Sequence, residues 1–145
     1  MKLPLLVALL IASVALAACG GGKAERADVS YSCPATPGKK ISSRDELIKA
    51  KVEVAGSLPN VDVVDLRCTD RAGLLRIDAD LKNDGRQERR IAYRFRWLDQ
   101  NGMRATEDES WKPLLIYGKT IYTVTTTAPS QDASDFRLVI RDQDQ

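Results

Sequence analysis

The stretch that decides the fold is "RRIAYRFRWLDQNG", residues 89–102. From Tyr93 to Trp97 aromatic and charged residues alternate strictly. Ile91, Tyr93, Phe95 and Trp97 fall on one face, with Arg94 and Arg96 on the other. A period of two is the signature of a half-buried strand, and β-branched and aromatic residues suit its pleat. "NG" at 101–102 then supplies residues that tolerate positive φ, so the strand ends in a turn. Read outward, the pattern recurs. "LLRIDADL" (74–81) places Leu75, Ile77, Ala79 and Leu81 opposite Arg76, Asp78 and Asp80, and "FRLVIR" (136–141) aligns Phe136, Leu138 and Ile140. Further strands are expected at 61–68, 113–117 and 119–127, separated by turn chemistry in "NDG" (83–85) and at Gly118. About seven short strands without βαβ spacing predict an all-β, antiparallel sandwich.

Before residue 57 the sequence changes character. "SRDE" (43–46) has the Ser-x-x-Glu spacing of a capping box and predicts a short helix near 43–53, while "KVEVA" inside the same span alternates like a strand. Residues 19–40, with three glycines after Cys19 and two prolines, read as a flexible linker, which puts the folded domain at 41–145.

The first residues, "MKLPLLVALLIASVALAAC", carry a single charge at Lys2 and an apolar run from Leu3 to Ala18 that ends in small residues. This run is shorter than the ~20 apolar residues of a bilayer crossing, so 1–18 read as a secretory signal. Its end, "LAAC" (16–19), resembles the lipobox of bacterial lipoproteins. The resemblance implies cleavage before Cys19, acylation of that cysteine, and mooring of the domain to a membrane by several acyl chains, which together make release negligible. Gly20 rather than Asp after the cysteine implies, by the same resemblance to lipoproteins of Gram-negative bacteria, sorting to the periplasmic leaflet of the outer membrane. Cys33 and Cys68 are then an even pair in an oxidising compartment, which predicts a disulfide, with separate thiols the alternative.

The order of motifs "LRIDADLKNDG", "YRFRWLDQNGM", "WKPLLIYGKTIYTVTTTAPS" and "DFRLVIR" is similar to that of the YcfL-like family of small bacterial lipoproteins, over residues 57–141. The most specific piece is the run from Tyr93 to Gly102, followed by Trp111 and Ala128-Pro129. The resemblance implies an immunoglobulin-like β-sandwich on the outer membrane and brings no catalytic residues with it.

Chemistry is scarce. The chain has no histidine among its 145 residues, which removes the usual general base, the Ser-His and Cys-His arrangements and the commonest zinc ligand. With 22 Lys and Arg against 20 Asp and Glu, the near-neutral balance argues against nucleic acid. Asp78 and Asp80 could be a carboxylate pair but read more simply as solvated outward residues. "EDE" (107–109) near Asp99 and Asn101 lacks the spaced oxygen ligands of a calcium loop. A non-enzymatic domain without a cofactor or metal is therefore expected.

What remains is the arginine row. If the strands at 73–82 and 89–99 form a hairpin, Arg90 and Arg94 meet Asp78 and Asp80 and the row is neutralised. If the connection crosses between sheets, Arg94 and Arg96 share a sheet with Arg137 and Arg141 and form a basic face suited to carboxylates or phosphates. That face, with Trp111 in the polar run "EDESWKP", is the candidate surface for a cell-envelope protein partner. A small-ligand or glycan site at a loop end around Trp111 is the alternative.

Overall fold

The computed structural model describes residues 33–34 and 41–143; the signal segment and Cys19 lie outside the described residues. In chain order the elements are α1 (Arg44–Lys51), β1 (Val52–Ala55), β2 (Val61–Arg71), β3 (Leu74–Asn83), β4 (Arg89–Leu98), β5 (Lys112–Ile116), β6 (Ile121–Thr127) and β7 (Asp135–Asp142). They form an immunoglobulin-like sandwich of two sheets, ordered β1-β7-β4-β5 and β2-β3-β6. β3 and β4 lie in different sheets, so their connection crosses the sandwich. This settles the hairpin question: Arg94 and Arg96 sit beside β7, not beside Asp78 and Asp80.

Both readings of residues 43–55 hold in succession. Ser43 caps α1 by accepting the Glu46 N–H, and the Glu46 carboxylate reaches back to the backbone and hydroxyl of Ser42 (2.7 and 2.8 Å). The helix stops where the β-branched Val52 turns extended and begins a ladder with β7. That ladder is parallel, with Val52 opposite Leu138 and Ala55 opposite Arg141, so the sandwich is not wholly antiparallel as expected. The strand opening the domain runs alongside the one closing it, and no hairpin dictates their sense.

The inward alternation is as the sequence predicts. Phe95, Trp97 and Phe136 are buried with ring centroids 5.9 to 6.5 Å apart, and Tyr93 meets Phe95 edge-on at 6.3 Å. Such contacts add ~0.5–1.5 kcal/mol each beyond the area they bury. They fill the interior with Leu66, Ile77, Leu81, Ile91, Leu138 and Ile140.

Two turns work differently from expectation. "NDG" is not a positive-φ turn. Asn83 is fully buried; its amide donates to the carbonyls of Gln87 (2.8 Å) and Ile116 (3.0 Å) and accepts the Gly85 N–H (2.9 Å), tying the crossing connection to β5. At residues 117–120 it is Lys119 that takes positive φ. Gly118 is required for another reason, since a Cβ there would lie 2.2 Å from the Arg86 carbonyl oxygen. Cys33 and Cys68 are bonded, with Cα atoms 4.7 Å apart.

Candidate binding face

The outward side chains of β4 and β7 are brought together by register: Arg96 opposite Arg137, Arg94 opposite Val139, Ala92 opposite Arg141. The predicted basic face therefore exists, but the connection after β4 folds back onto it. Asp108 lies 3.1 Å from Arg94, 3.4 Å from Arg96 and 3.7 Å from Arg104. Glu53 on β1 reaches Arg96 at 3.4 Å, and Arg137 is 3.3 Å from Asp135. Trp111 is not the exposed indole expected at a loop end. It is half-buried on this sheet face, with the guanidinium carbons of Arg94 and Arg141 at 4.5 and 4.4 Å from its ring centroid. Partly desolvated contacts of this kind are worth ~0.5–2 kcal/mol each. Ala92 and Val139 point to the same face yet are only 4% and 2% exposed, so the arginines and the indole belong to a packed outer layer.

This layer is unevenly satisfied. The Nε atoms of Arg94, Arg96 and Arg141 and Oδ1 of Asp108 are buried without a hydrogen-bond partner. Among the described residues Arg141 has no carboxylate within ion-pair distance, while Arg94 and Arg96 share Asp108. A guanidinium offers five donors, and Arg141 directs none of its own to a carboxylate among the described residues.

Asp78 and Asp80, the pair that the sequence offered, are both held by neighbouring side chains. On the outer face of the three-stranded sheet, Arg67 makes a fork to Asp80 (2.8 and 2.9 Å) and also reaches Asp65 (2.5 Å). Thr123 and Thr125 donate to Asp80 and Asp78 at 2.6 Å. The Arg67 hydrogen bonds, then that of Thr123, hold the Asp80 carboxyl below its ordinary value, the opposite of what a general acid needs. A depressed carboxyl stabilises the fold above its unfolded-state pKa, and that contribution disappears as pH falls through the folded-state value. Asp80→Asn should thus melt below wild type at about pH 6, with the gap closing as the pH is lowered to about 2. Thermal melts across that range check it, and a constant gap would contradict it. In "EDE", Asp108 serves the arginines, while Glu109 accepts the Trp97 indole N–H (2.9 Å) and the Lys112 ammonium (2.6 Å). Among the described residues no cluster of three or more Cys, Asp or Glu is arranged to hold a metal. A cavity of about 360 Å³ is lined by Asp99, Gln100, Gln131, Asp132 and Ser134.

Residues 49–142, from the end of the helix through the last strand, match the family described as "Protein of unknown function (DUF1425)". The chain belongs to the DUF1425 family. A DUF1425 family member from Shewanella sp. pv-4 is 34% identical to this chain, covers 57% of it and 77% of its own length, and superposes with a TM-score of 0.52. The crystal structure of Campylobacter jejuni cj0090 is 24% identical, covers 64% of this chain and 98% of its own, and has a TM-score of 0.57; at that identity the likeness concerns the fold alone. No curated protein matches. The DUF1425 match includes Arg94, Arg96, Trp111, Arg137 and Arg141, together with three residues that sequence reasoning missed. Asp108, Glu53 and Arg104 complete the face, and the alternation of β4 gave no sign of them because Asp108 and Arg104 arrive from the loop after β4 and Glu53 from β1, beyond β7.

Proposed function

We propose that this DUF1425 domain is a non-enzymatic binding module of the bacterial cell envelope, a YcfL-like lipoprotein moored through acylated Cys19 to the periplasmic leaflet of the outer membrane. Its face around Arg94, Arg96, Arg137, Arg141 and Trp111 takes an acidic segment of an envelope protein. The observation that carries this reading is Arg141, a guanidinium oriented over Trp111, with no carboxylate of its own among the described residues and beside arginines that share one Asp108. Among the described residues no helix is long and apolar enough to cross a membrane, and the proposed anchor rests on the "LAAC" sequence at 16–19. The glycan alternative loses support because two guanidinium groups already occupy the Trp111 ring that a sugar would stack on.

Crosslinking in intact envelopes tests both halves. The full chain should capture a reproducible protein partner, and Arg137→Glu with Arg141→Glu should reduce capture at least tenfold, roughly the loss of one arginine anchor. Cys19→Ser should move the protein into the aqueous fraction. Recovery of lipid alone would refute the protein partner, and continued membrane association of Cys19→Ser would refute the anchor.

A further inference from the structure

We infer that β6 is a pairing edge at which two copies of this chain join their three-stranded sheets into one. A free strand edge presents a row of unpaired N–H and C=O groups, and proteins that stay single protect such edges with charge, proline, bulges or shortness. Three of the four edges here carry such devices. β1 is four residues long and bears Glu53. β2 has a register shift between Val63 and Asp65, carries Asp62, Asp65, Arg67 and Asp70, and is packed by α1. β5 contains Lys112 and Pro113.

β6 has none of them. Its seven residues, "IYTVTTT", include no charge, proline or glycine, and among the described residues it pairs with β3 alone. Tyr117, Ile121 and Tyr122, at and just before its start, are 62%, 57% and 49% exposed. The hydrogen bonds at the two ends of its ladder, Ala128 N–H to Leu75 and Asn83 N–H to Thr120, fix which groups face outward. In an antiparallel pair alternate residues exchange bonds with the partner strand, so Ile121, Thr123, Thr125 and Thr127 direct their backbone groups to the open edge.

That set is complementary to itself. Two β6 strands related by a two-fold axis at Val124 place Ile121 against Thr127 and Thr123 against Thr125, so every outward group finds an outward group of the second copy. Tyr122 falls against Thr126. These are threonine–threonine and aromatic–β-branched pairs, the kinds that favour antiparallel strands, and no like charges meet. The chain's own N-terminal segment is a poorer occupant, because Cys33 is fixed to Cys68 on β2, at the opposite edge of this sheet.

The test places a photo-crosslinking residue at Thr127 in the full chain and co-expresses two differently tagged copies in bacterial cells. The expected product is an adduct carrying both tags. Thr125→Lys, which puts an ammonium at the seam while leaving a partner for Asp78, should reduce it at least tenfold; Thr127→Lys, at a side chain exposed on the same edge, should reduce the two-copy species recovered with a chemical crosslinker by the same factor. An adduct to another protein, a crosslink confined to one copy, no adduct, or one that both lysine variants leave intact would overturn the inference.

Discussion

Lys51→Ala is expected to lower the free energy of unfolding by about 3–5 kcal/mol, the cost of leaving one member of a buried ion pair alone. Lys51 is the last residue of α1 and is 0% exposed; its ammonium lies 2.5 Å from Oδ1 of Asp135, at the start of β7, and 5.7 Å from the centre of the Phe136 ring. Burial pushes the Lys51 pKa down, and Asp135 acts against that shift. Asp135 also accepts the Phe136 N–H at 2.7 Å and lies beside Arg137. Removing the lysine therefore leaves a desolvated carboxylate with only the longer 3.3 Å contact to Arg137 as its ion pair and removes the link between the helix and the last strand. Lys51→Met with Asp135→Leu should recover much of the loss, since apolar replacement of both partners is often neutral. Urea unfolding decides it: a single-variant cost below about 1 kcal/mol would place the pair among weak surface bridges.

Cys33→Ala with Cys68→Ala should cost about 3–4 kcal/mol, because the bridge closes a loop with a sequence separation of 35 and removes that freedom from the unfolded chain. Cys68 is fully buried in the core, and Cys33 packs against the same cluster. Reduction of the wild-type chain should lower its urea midpoint to that of the double variant. Equal midpoints for oxidised and reduced protein would show that the bridge adds nothing.

How much of this was legible depends on whether a feature is set by neighbours in sequence or by partners far along it. The strands of Leu75–Leu81, Ile91–Trp97 and Phe136–Ile140 were readable because side-chain alternation is local. The capping box was readable for the same reason. The parallel sense of β1 was not, since "KVEVA" announces a strand but not its neighbour. Lys51 reads as an ordinary helix-end lysine; only Asp135, 84 residues on, makes it a core residue. The arginine face was half-legible. Its members were visible, while the choice between two pairings needed the topology, and Asp108 and the resting place of Trp111 needed the path of a loop. Asn83 misled because Asn-Asp-Gly normally marks a turn, whereas here the amide supplies three hydrogen bonds that a buried crossing would otherwise lack.

The bridge between Cys33 and Cys68 also determines how the domain would bear tension. A pull on the chain ahead of residue 33 enters the fold covalently at Cys68, in the middle of β2. The helix and β1 lie inside the closed loop and carry none of that load. The short parallel ladder to β7, only four residue pairs long, is thereby shielded from traction, and the strain falls on the long antiparallel β2–β3 pairing.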